Sequence, residues 1–370
     1  MVISMITKLK DIVTVCLIGA ILFGFFAWCI IKPSDEISES ERRPLASFPE
    51  LNADTLISGE FMSKFEEYTT DQFPIRDTLR TIKALSVYYL FQQADNNDIY
   101  FKDSYASKLE FPVNEDSLAS AAQKFKFICD KYLNGTDASI YFSLVPDKNY
   151  FMAAVSGYPS IDYDEFVNSF RQQTAFMEYI DIMELLTLSD YYKTDTHWRQ
   201  ECIVDVALKL ADAMGTTLPD DYKQNTLDVP FYGVYYGQAA LPIPGETLHY
   251  LSSDILDSCI VYDFETESYM PMYDLEKAHG QDAYEIFLSG SKSLITIENP
   301  NSTTEKELII FRDSFGSSIA PLLAAGYAKT TIVDIRYISS NMLDNWIEFD
   351  DQDVLFLYST IVLNNSITFK

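Results

Sequence analysis

The longest uninterrupted apolar stretch of the chain lies near its beginning. Residues 12–31 are twenty consecutive positions without a charged side chain. In a helix that rises 1.5 Å per residue, they span about 30 Å, which matches the hydrocarbon core of a bilayer. The pattern therefore predicts one transmembrane helix near the N-terminus.

Charges on either side of this stretch predict its orientation. Lys8 and Lys10 precede it, and four acidic residues follow it within positions 35–41. The positive-inside rule then places the N-terminus in the cytoplasm and the rest of the chain outside. A cleaved signal peptide is the alternative, but its apolar region is usually shorter and no Ala-x-Ala site follows. We therefore favour an uncleaved anchor in the cell membrane.

Helical spacing dominates the next part of the chain. After a polar, proline-containing stretch at 33–58, the pattern predicts a short amphipathic helix over 59–70. Apolar residues then recur on one helical face from Ile75 to Tyr89. We interpret residues 1–33 as the cytoplasmic tip and anchor, and residues 34–95 as an extracytoplasmic helical segment.

From residue 96 onward, strand and helix patterns alternate. Residues 225–305 are irregular and rich in aromatic residues. The predicted strands cover 140–145, 307–311, 329–337 and 353–359. The predicted helices cover 115–133, 163–185, 203–214 and 315–325. A strand–turn–helix–strand order favours an α/β domain with a mostly parallel sheet between two helical layers, here spanning residues 96–370.

Composition narrows the possible functions. Apolar residues make up 48% of the 370 positions, which is enough for a large core, and the net charge is −28. So acidic a chain lacks the basic surface that nucleic-acid binding requires, and a strongly polyanionic substrate would need a locally basic site. The five cysteines and three histidines show no regular metal-ligand spacing, so we predict neither a disulfide framework nor a metal or cofactor site.

One candidate catalytic motif is the sequence Asp-Thr-His-Trp at 195–198. In an extended segment, side chains two positions apart point the same way. Asp195 can then accept a hydrogen bond from one imidazole nitrogen of His197 and leave the other nitrogen free as a base. The alternative is a solvent-facing aspartate beside a capping histidine.

A second candidate is Asp-Ser-Phe-Gly at 313–316. An apolar strand leads directly into it, and a helix follows. Ser314 would then lie on a tight turn at the carboxyl edge of the sheet, where backbone N–H groups can stabilise an oxyanion. Alternatively, Ser314 is a plain helix N-cap. Taken together, Asp195, His197 and Ser314 have the residue types and settings of one acyl-transfer triad.

These motifs resemble a known group of proteins. The Asp-Thr-His-Trp and Asp-Ser-Phe-Gly motifs, Asp-Ile-Arg-Tyr at 334–337 and the stretches at 41–49 and 71–77 are similar to the bacterial DHHW family and the alginate O-acetylation (AlgX/AlgJ) family. The resemblance covers nearly all of the chain after the apolar stretch. It implies an SGNH-hydrolase-like three-layer sandwich, circularly permuted so that aspartate and histidine precede serine.

The resemblance also implies a function. Asp195, His197 and Ser314 would catalyse O-acetylation or deacetylation of a cell-envelope or secreted polysaccharide. Acetyl groups would come from a membrane-bound O-acyltransferase, and Arg336 and Tyr337 would lie near the substrate pocket. The glycine and asparagine that usually complete an SGNH oxyanion hole have no counterpart that we can assign. A catalytically degenerate glycan-binding or scaffold protein is therefore the alternative.

Several candidate binding residues have two interpretations. Trp198 either lines the substrate pocket or packs in the core. The dense aromatic run at 231–236, with Tyr235 and Tyr236, either faces a glycan or is core. Arg336 either binds a substrate oxygen or pairs with an acid such as Asp334.

Overall fold

The computed structural model describes residues 2–370, with side chains described from residue 8. The chain divides into two compact units. The first extends to Ala94 and includes 240–242, and the second contains the remaining residues from Asp95 onward.

The first unit begins with a long apolar helix, α1, over Val2–Ile31. Its Lys8–Ile31 part has 24 residues, about 36 Å at 1.5 Å per residue, and is long and apolar enough to cross a membrane. A two-stranded ladder and three helices follow. They are β1 Ile37–Ser38, β2 Arg43–Pro44, α2 Ala53–Ser58, α3 Glu60–Asp71 and α4 Arg76–Leu85.

The second unit is built around an eight-stranded mixed sheet. Two hairpins lie outside this sheet: β3 Ile99–Lys102 with β4 Tyr105–Lys108, and β7 Lys223–Phe231 with β8 Glu246–Ser252. The sheet strands are β5 Ser139–Val145, β6 Glu178–Tyr179, β9 Ile260–Asp263, β10 Ser268–Met270, β11 Leu294–Glu298, β12 Glu307–Arg312, β13 Lys329–Val333 and β14 Asp353–Ser359.

The strand order is β10-β9-β11-β13-β12-β14-β5-β6. The run from β13 to β6 is parallel, whereas β11, β9 and β10 pair antiparallel. The parallel strands end at one edge of the sheet, where Asp-Ser-Phe-Gly follows β12 and Asp-Ile-Arg-Tyr follows β13. This arrangement confirms the predicted α/β fold with a central, mostly parallel sheet.

Helices cover both faces of the sheet. They are α5 Glu115–Ile128, α6 Lys148–Ser156, α7 Tyr163–Gln173, α8 Val204–Ala213, α10 Asp254–Ser258, α11 Gly316–Ala324 and α12 Thr360–Asn364, whereas α9 Val234–Ala239 packs on the β3–β4 hairpin. A hydrophobic core lies on each face of the sheet, and alternate residues of β12 point into one or the other. Ile310 packs with α8 and α11, while Ile309 and Phe311 pack with α5 and α7. The result is three layers.

Three predictions about individual elements are wrong. The helix predicted over 163–185 ends at Gln173, because β6 pairs with β5 at the sheet edge. The stretch at 225–305, predicted to be irregular, supplies β9, β10 and β11 to the sheet. The strand predicted over 329–337 ends at Val333, where the backbone turns around the carboxylate of Asp334, which accepts a hydrogen bond from the Arg336 N–H.

Candidate active site

Asp195 and His197 lie in a tight loop closed by an antiparallel bridge between Tyr191 and Trp198. The backbone N–H of His197 donates to Asp195 Oδ1 at 3.0 Å, and Nδ1 of the same histidine lies 2.5 Å from this oxygen. One carboxylate oxygen therefore fixes both the backbone and the ring of His197. When Nδ1 donates in this hydrogen bond, Nε2 of a neutral imidazole is left as an acceptor.

The segment that leads into α9 supports the other side of this loop. The N–H of Val234 donates to Asp195 Oδ2 at 2.8 Å, and the N–H of Tyr235 donates to Thr194 O at 2.9 Å. This approach requires a glycine at 233, since a Cβ there would lie 2.3 Å from the backbone nitrogen of Asp195. Both segments are therefore held at close backbone contact.

The pKa of Asp195 is lowered. Burial on its own would raise this pKa, but attraction to His197 and hydrogen bonds from His197 and the Val234 N–H outweigh it. Asp195 has 1% of its surface exposed, so its charge is compensated by these groups and not by water. The carboxylate form is thus the stable form beside the imidazole.

Ser314 completes a hydrogen-bonded chain with these two residues. His197 Nε2 lies 2.7 Å from Ser314 Oγ, which comes from the turn between β12 and α11, 117 positions later. Helix α11 has no side-chain N-cap hydrogen bond, so the structure does not support the interpretation of Ser314 as a plain cap. The predicted triad residues are therefore brought together at the carboxyl edge of the sheet.

Asp313 holds the turn that presents Ser314. Its Oδ1 accepts from the Phe315 N–H at 3.0 Å, and its Oδ2 accepts from the Ser359 N–H at 2.7 Å. The turn is thereby tied to the end of β14. Gly316 is also required here, because a Cβ would lie 2.5 Å from Cβ of Arg312.

An aromatic residue that the sequence did not single out packs against the histidine. The rings of Tyr284 and His197 are stacked, with centroids 3.9 Å apart and an interplanar angle of 5°. The Tyr284 hydroxyl donates to Ser318 Oγ at 2.8 Å, which fixes the phenol ring from α11. Tyr284 belongs to the stretch predicted to be irregular, where no local pattern marked it.

Trp198 packs behind the site. It has no exposed surface, and its Nε1 donates to Phe315 O at 3.1 Å and to Ser318 Oγ at 2.9 Å. A side chain without exposed surface does not contact a substrate in this structure. Of the two interpretations of Trp198, the structure supports packing, and the indole joins the histidine loop to α11.

In the aromatic run at 231–236, Phe231 and Tyr235 are buried, whereas Tyr232 is exposed. Tyr235 is buried and packs with Ile99, Ala106 and Ala239. Tyr236 is half-buried, with its ring centroid 4.7 Å from that of Tyr232. The expectation that Tyr235 faces a glycan therefore does not fit its burial.

Lys148 is a buried amine beneath the histidine loop that sequence reasoning did not identify. Its Nζ donates to Tyr192 O at 2.9 Å and to Lys193 O at 3.0 Å, and it lies 5.0 Å from the ring centroid of Tyr235. Burial lowers the pKa of Lys148 to about 7, although Asp195, Glu246 and Asp147 attract its charge. A neutral amine has two N–H bonds, which match the two carbonyl acceptors.

Arg336 and Tyr337 lie just after β13, the strand that pairs with β12. Arg336 pairs with both oxygens of Asp334, through Nε at 2.9 Å and Nη2 at 2.6 Å. The structure thus shows the ion pair that was one of its two interpretations. Tyr337 is 47% exposed and remains accessible to a ligand.

The exposure of the three residues limits what the site can do. Asp195 and His197 are buried, and Ser314 is half-buried. Ser314 is therefore the most exposed of the three residues, and His197 is largely shielded from water. Within residues 2–370, no group of three or more His, Cys, Asp or Glu side chains could hold a metal ion.

Known structures share this fold. A DHHW family protein from Eubacterium siraeum matches with a TM-score of 0.60 and 21% identity, covering 73% of this chain and 93% of that one. Bacillus cereus PatB1 matches with a TM-score of 0.58 and 20% identity, covering 72% and 96%. It has also been solved with a sulfonyl adduct, at a TM-score of 0.56 and 19% identity, covering 72% and 95%.

The O-acetyltransferase domain of Pseudomonas putida AlgJ also matches, with a TM-score of 0.45 and 12% identity, covering 72% of this chain and 92% of that one. The structural neighbours thus include the DHHW family that the motifs resemble. No protein-family model and no curated protein matches the sequence. The matches to the DHHW family protein and to PatB1 establish a shared fold.

Titration of Lys148 predicts a specific pH dependence of stability. Its pKa is about 7 in the folded chain and about 10.4 in an unfolded one. Between these values the unfolded state binds more protons, so this residue makes the free energy of unfolding rise with pH. Lys148→Met removes that contribution. The wild type should therefore gain stability relative to the variant between about pH 7 and pH 10.

Urea unfolding at several pH values measures this difference. Lys209→Met, at an exposed lysine, serves as the matched control and should show a much smaller change with pH. A constant stability difference between Lys148→Met and the wild type across the range would show that Lys148 does not titrate there.

Proposed function

We propose that this chain is a membrane-anchored, extracytoplasmic acyl transferase that uses Ser314 as its nucleophile. The single observation that carries the proposal is the hydrogen-bonded chain Asp195–His197–Ser314, with contacts of 2.5 Å and 2.7 Å. A serine within hydrogen-bonding distance of a histidine, which is in turn oriented by a carboxylate, is the arrangement that activates a hydroxyl for attack.

In the first half-reaction, Ser314 Oγ attacks the carbonyl carbon of an acyl donor. Its proton passes to His197 Nε2, and Asp195 stabilises the imidazolium that forms. As the tetrahedral intermediate collapses, the bond to the leaving group breaks. His197 returns the proton to that group, and an acyl ester remains on Ser314. This chemistry requires no cofactor.

In the second half-reaction, a hydroxyl group attacks the acyl carbon. His197 removes the proton of this hydroxyl, the ester bond to Ser314 breaks, and the serine recovers its proton from the imidazolium. A sugar hydroxyl gives transfer, whereas water gives hydrolysis. The Ser314 N–H adjoins α11 and donates no hydrogen bond within the part of the chain that the structure describes, so it can stabilise the oxyanion.

We assign the acceptor to a cell-envelope or secreted polysaccharide and the acyl group to acetate. The support is the motif resemblance to the DHHW and AlgX/AlgJ families, together with the fold shared with PatB1. Arg336 and Tyr337 would contact the substrate beside Ser314. A membrane-bound O-acyltransferase would supply the acetyl groups, which suits a chain with a helix able to cross the same membrane.

In this proposal the chain has three parts. Residues 1–33 are the cytoplasmic tip and anchor, residues 34–95 connect the anchor to the catalytic domain, and residues 96–370 form that domain outside the cell. The charges around the apolar stretch support this orientation, because Lys8 and Lys10 precede it and acidic residues follow.

Replacing Ser314 by alanine tests the proposal. The full chain in detergent should hydrolyse an activated acetyl ester and react with a sulfonyl fluoride at Ser314. Ser314→Ala should abolish labelling and lower the rate by about 10³-fold or more, because the triad acts as one unit. His197→Ala should lower the rate similarly, and Asp195→Asn should cost less than the loss of Ser314, since Asp195 only orients and stabilises the imidazole.

The matched control is Ser189→Ala at an exposed serine, which should leave both rate and labelling unchanged. The melting temperature of each variant separates catalysis from folding. If the wild type neither turns over an acetyl ester nor takes the label, even with membranes that supply a natural donor, the chain is instead a non-catalytic glycan-binding or scaffold protein.

The orientation of the anchor gives a separate prediction. Protease added to intact cells should digest residues 34–370 and leave a short N-terminal fragment with the membrane, because the apolar stretch would cross it once. An epitope at each end of the chain, followed by immunoblotting, measures which end is lost. Full protection of the C-terminal epitope in intact cells would contradict the proposed orientation.

A further inference from the structure

A groove separate from the triad lies on one face of the central sheet in the second unit. It encloses about 320 Å³, which is at the low end of the range for small-molecule sites. Its floor contains the first residues of β12 and β13, whereas Ser314 follows the last residue of β12. The groove is therefore toward the opposite end of the strands from the triad.

Residues that pair across four neighbouring strands form the centre of this floor. Thr296 on β11 pairs with Thr331 on β13 and with Tyr262 on β9, and Thr331 pairs with Ile309 on β12. Directly paired residues point to the same face, so the two threonine hydroxyls lie side by side. Their residues are only 8% and 5% exposed, and neither hydroxyl bonds to another described side chain or backbone atom.

The next row of the floor carries charge. Lys329 on β13 pairs in register with Glu298 on β11 and with Glu307 on β12, and its Nζ lies 3.6 Å from Glu307. Glu348 adds a third carboxylate to the lining. Three carboxylates and one ammonium leave an excess of two negative charges, so the groove disfavours an anionic ligand, as does the net charge of −28.

Aromatic rings form the sides. Tyr269, on the edge strand β10, is 75% exposed, and its ring centroid is 5.4 Å from that of the half-buried Tyr262. Trp346, before β14, is 45% exposed. Exposed tyrosine and tryptophan rings offer both an apolar face and a polar group. They lie beside hydroxyls and carboxylates that accept hydrogen bonds.

We propose that this groove binds an uncharged oligosaccharide. Sugar rings present C–H faces that pack on aromatic rings, and hydroxyl groups that both donate and accept hydrogen bonds. The carboxylates would accept hydrogen bonds from those hydroxyls, and their charge would strengthen these bonds. The threonine hydroxyls would form further hydrogen bonds with the sugar. A peptide strand added to the edge of β10 would pair with its backbone and leave the floor of the groove empty.

Such a site would hold a polysaccharide away from Ser314 while the triad acts elsewhere on the same chain. A second point of attachment raises the effective concentration of a long substrate at the triad. Binding itself does not depend on acyl transfer. It can be measured with Ser314→Ala, so failure of this proposal is distinguishable from failure of the proposed enzyme.

Calorimetric titration of the full chain tests the proposal, in a detergent without a sugar headgroup. The uncharged probes are cellotetraose, chitotetraose and maltotetraose, and tetragalacturonate is the anionic counterpart. At least one uncharged probe should bind, and the anionic one should bind about tenfold or more weakly. Tyr269→Ala, Trp346→Ala and Thr331→Val should each weaken binding by about fivefold or more.

The matched control is Tyr89→Ala, since Tyr89 is 73% exposed and belongs to the other unit. Its affinity for the probe should equal that of the wild type, as should that of Ser314→Ala. Tryptophan emission gives a second readout. The chain has three tryptophans, of which Trp28 lies in α1 and Trp198 is buried, so a change on binding should disappear in Trp346→Phe.

Three results would overturn the proposal. One is that none of the three uncharged probes binds. Another is that a probe binds with an affinity that all three groove variants leave unchanged. The third is light scattering that shows an oligomer which Tyr269→Ala dissociates, because the groove would then be covered by a second copy of the chain.

Discussion

The hydrogen bond between His197 Nε2 and Ser314 Oγ is the contact on which the candidate site depends. It joins two loops that are 117 positions apart in the chain, at a distance of 2.7 Å. Such a contact tolerates little displacement, since a catalytic hydrogen bond weakens steeply outside about 2.6–3.2 Å. Much of the surrounding structure accordingly fixes one loop or the other.

The two loops are held by different means. On the histidine side, the carboxylate of Glu246 accepts hydrogen bonds from the Lys193 and Thr194 N–H groups, at 2.7 Å and 2.8 Å, while Lys148 binds carbonyls of the same loop. On the serine side, the carboxylate of Asp313 binds two backbone N–H groups. Lys148 and Asp313 are buried polar groups, which cost free energy unless they are hydrogen-bonded, and the hydrogen bonds that satisfy them also fix the two loops.

Sequence patterns predicted the parts of this molecule that depend on interactions within a few residues along the chain. The strand leading into Asp-Ser-Phe-Gly and the two-residue spacing of Asp195 and His197 were sufficient to nominate the site, because each acts within a few residues. The patterns missed Lys148 and Tyr284, whose contacts with the histidine loop come from distant segments. They also missed β9, β10 and β11, short strands whose partners are set by pairing across the sheet. Trp198 shows the same limit, since burial of an aromatic side chain depends on the fold around it.

The central claim is that Ser314 carries the acyl group between donor and acceptor. The most direct measurement is to quench the full chain with acid during turnover of an activated acetyl ester and to map acetyl groups by peptide mass spectrometry. An acetyl ester should be found on Ser314 and should disappear when the donor is exhausted. Sustained turnover with acetyl groups found only on other residues, or on none, would contradict this claim.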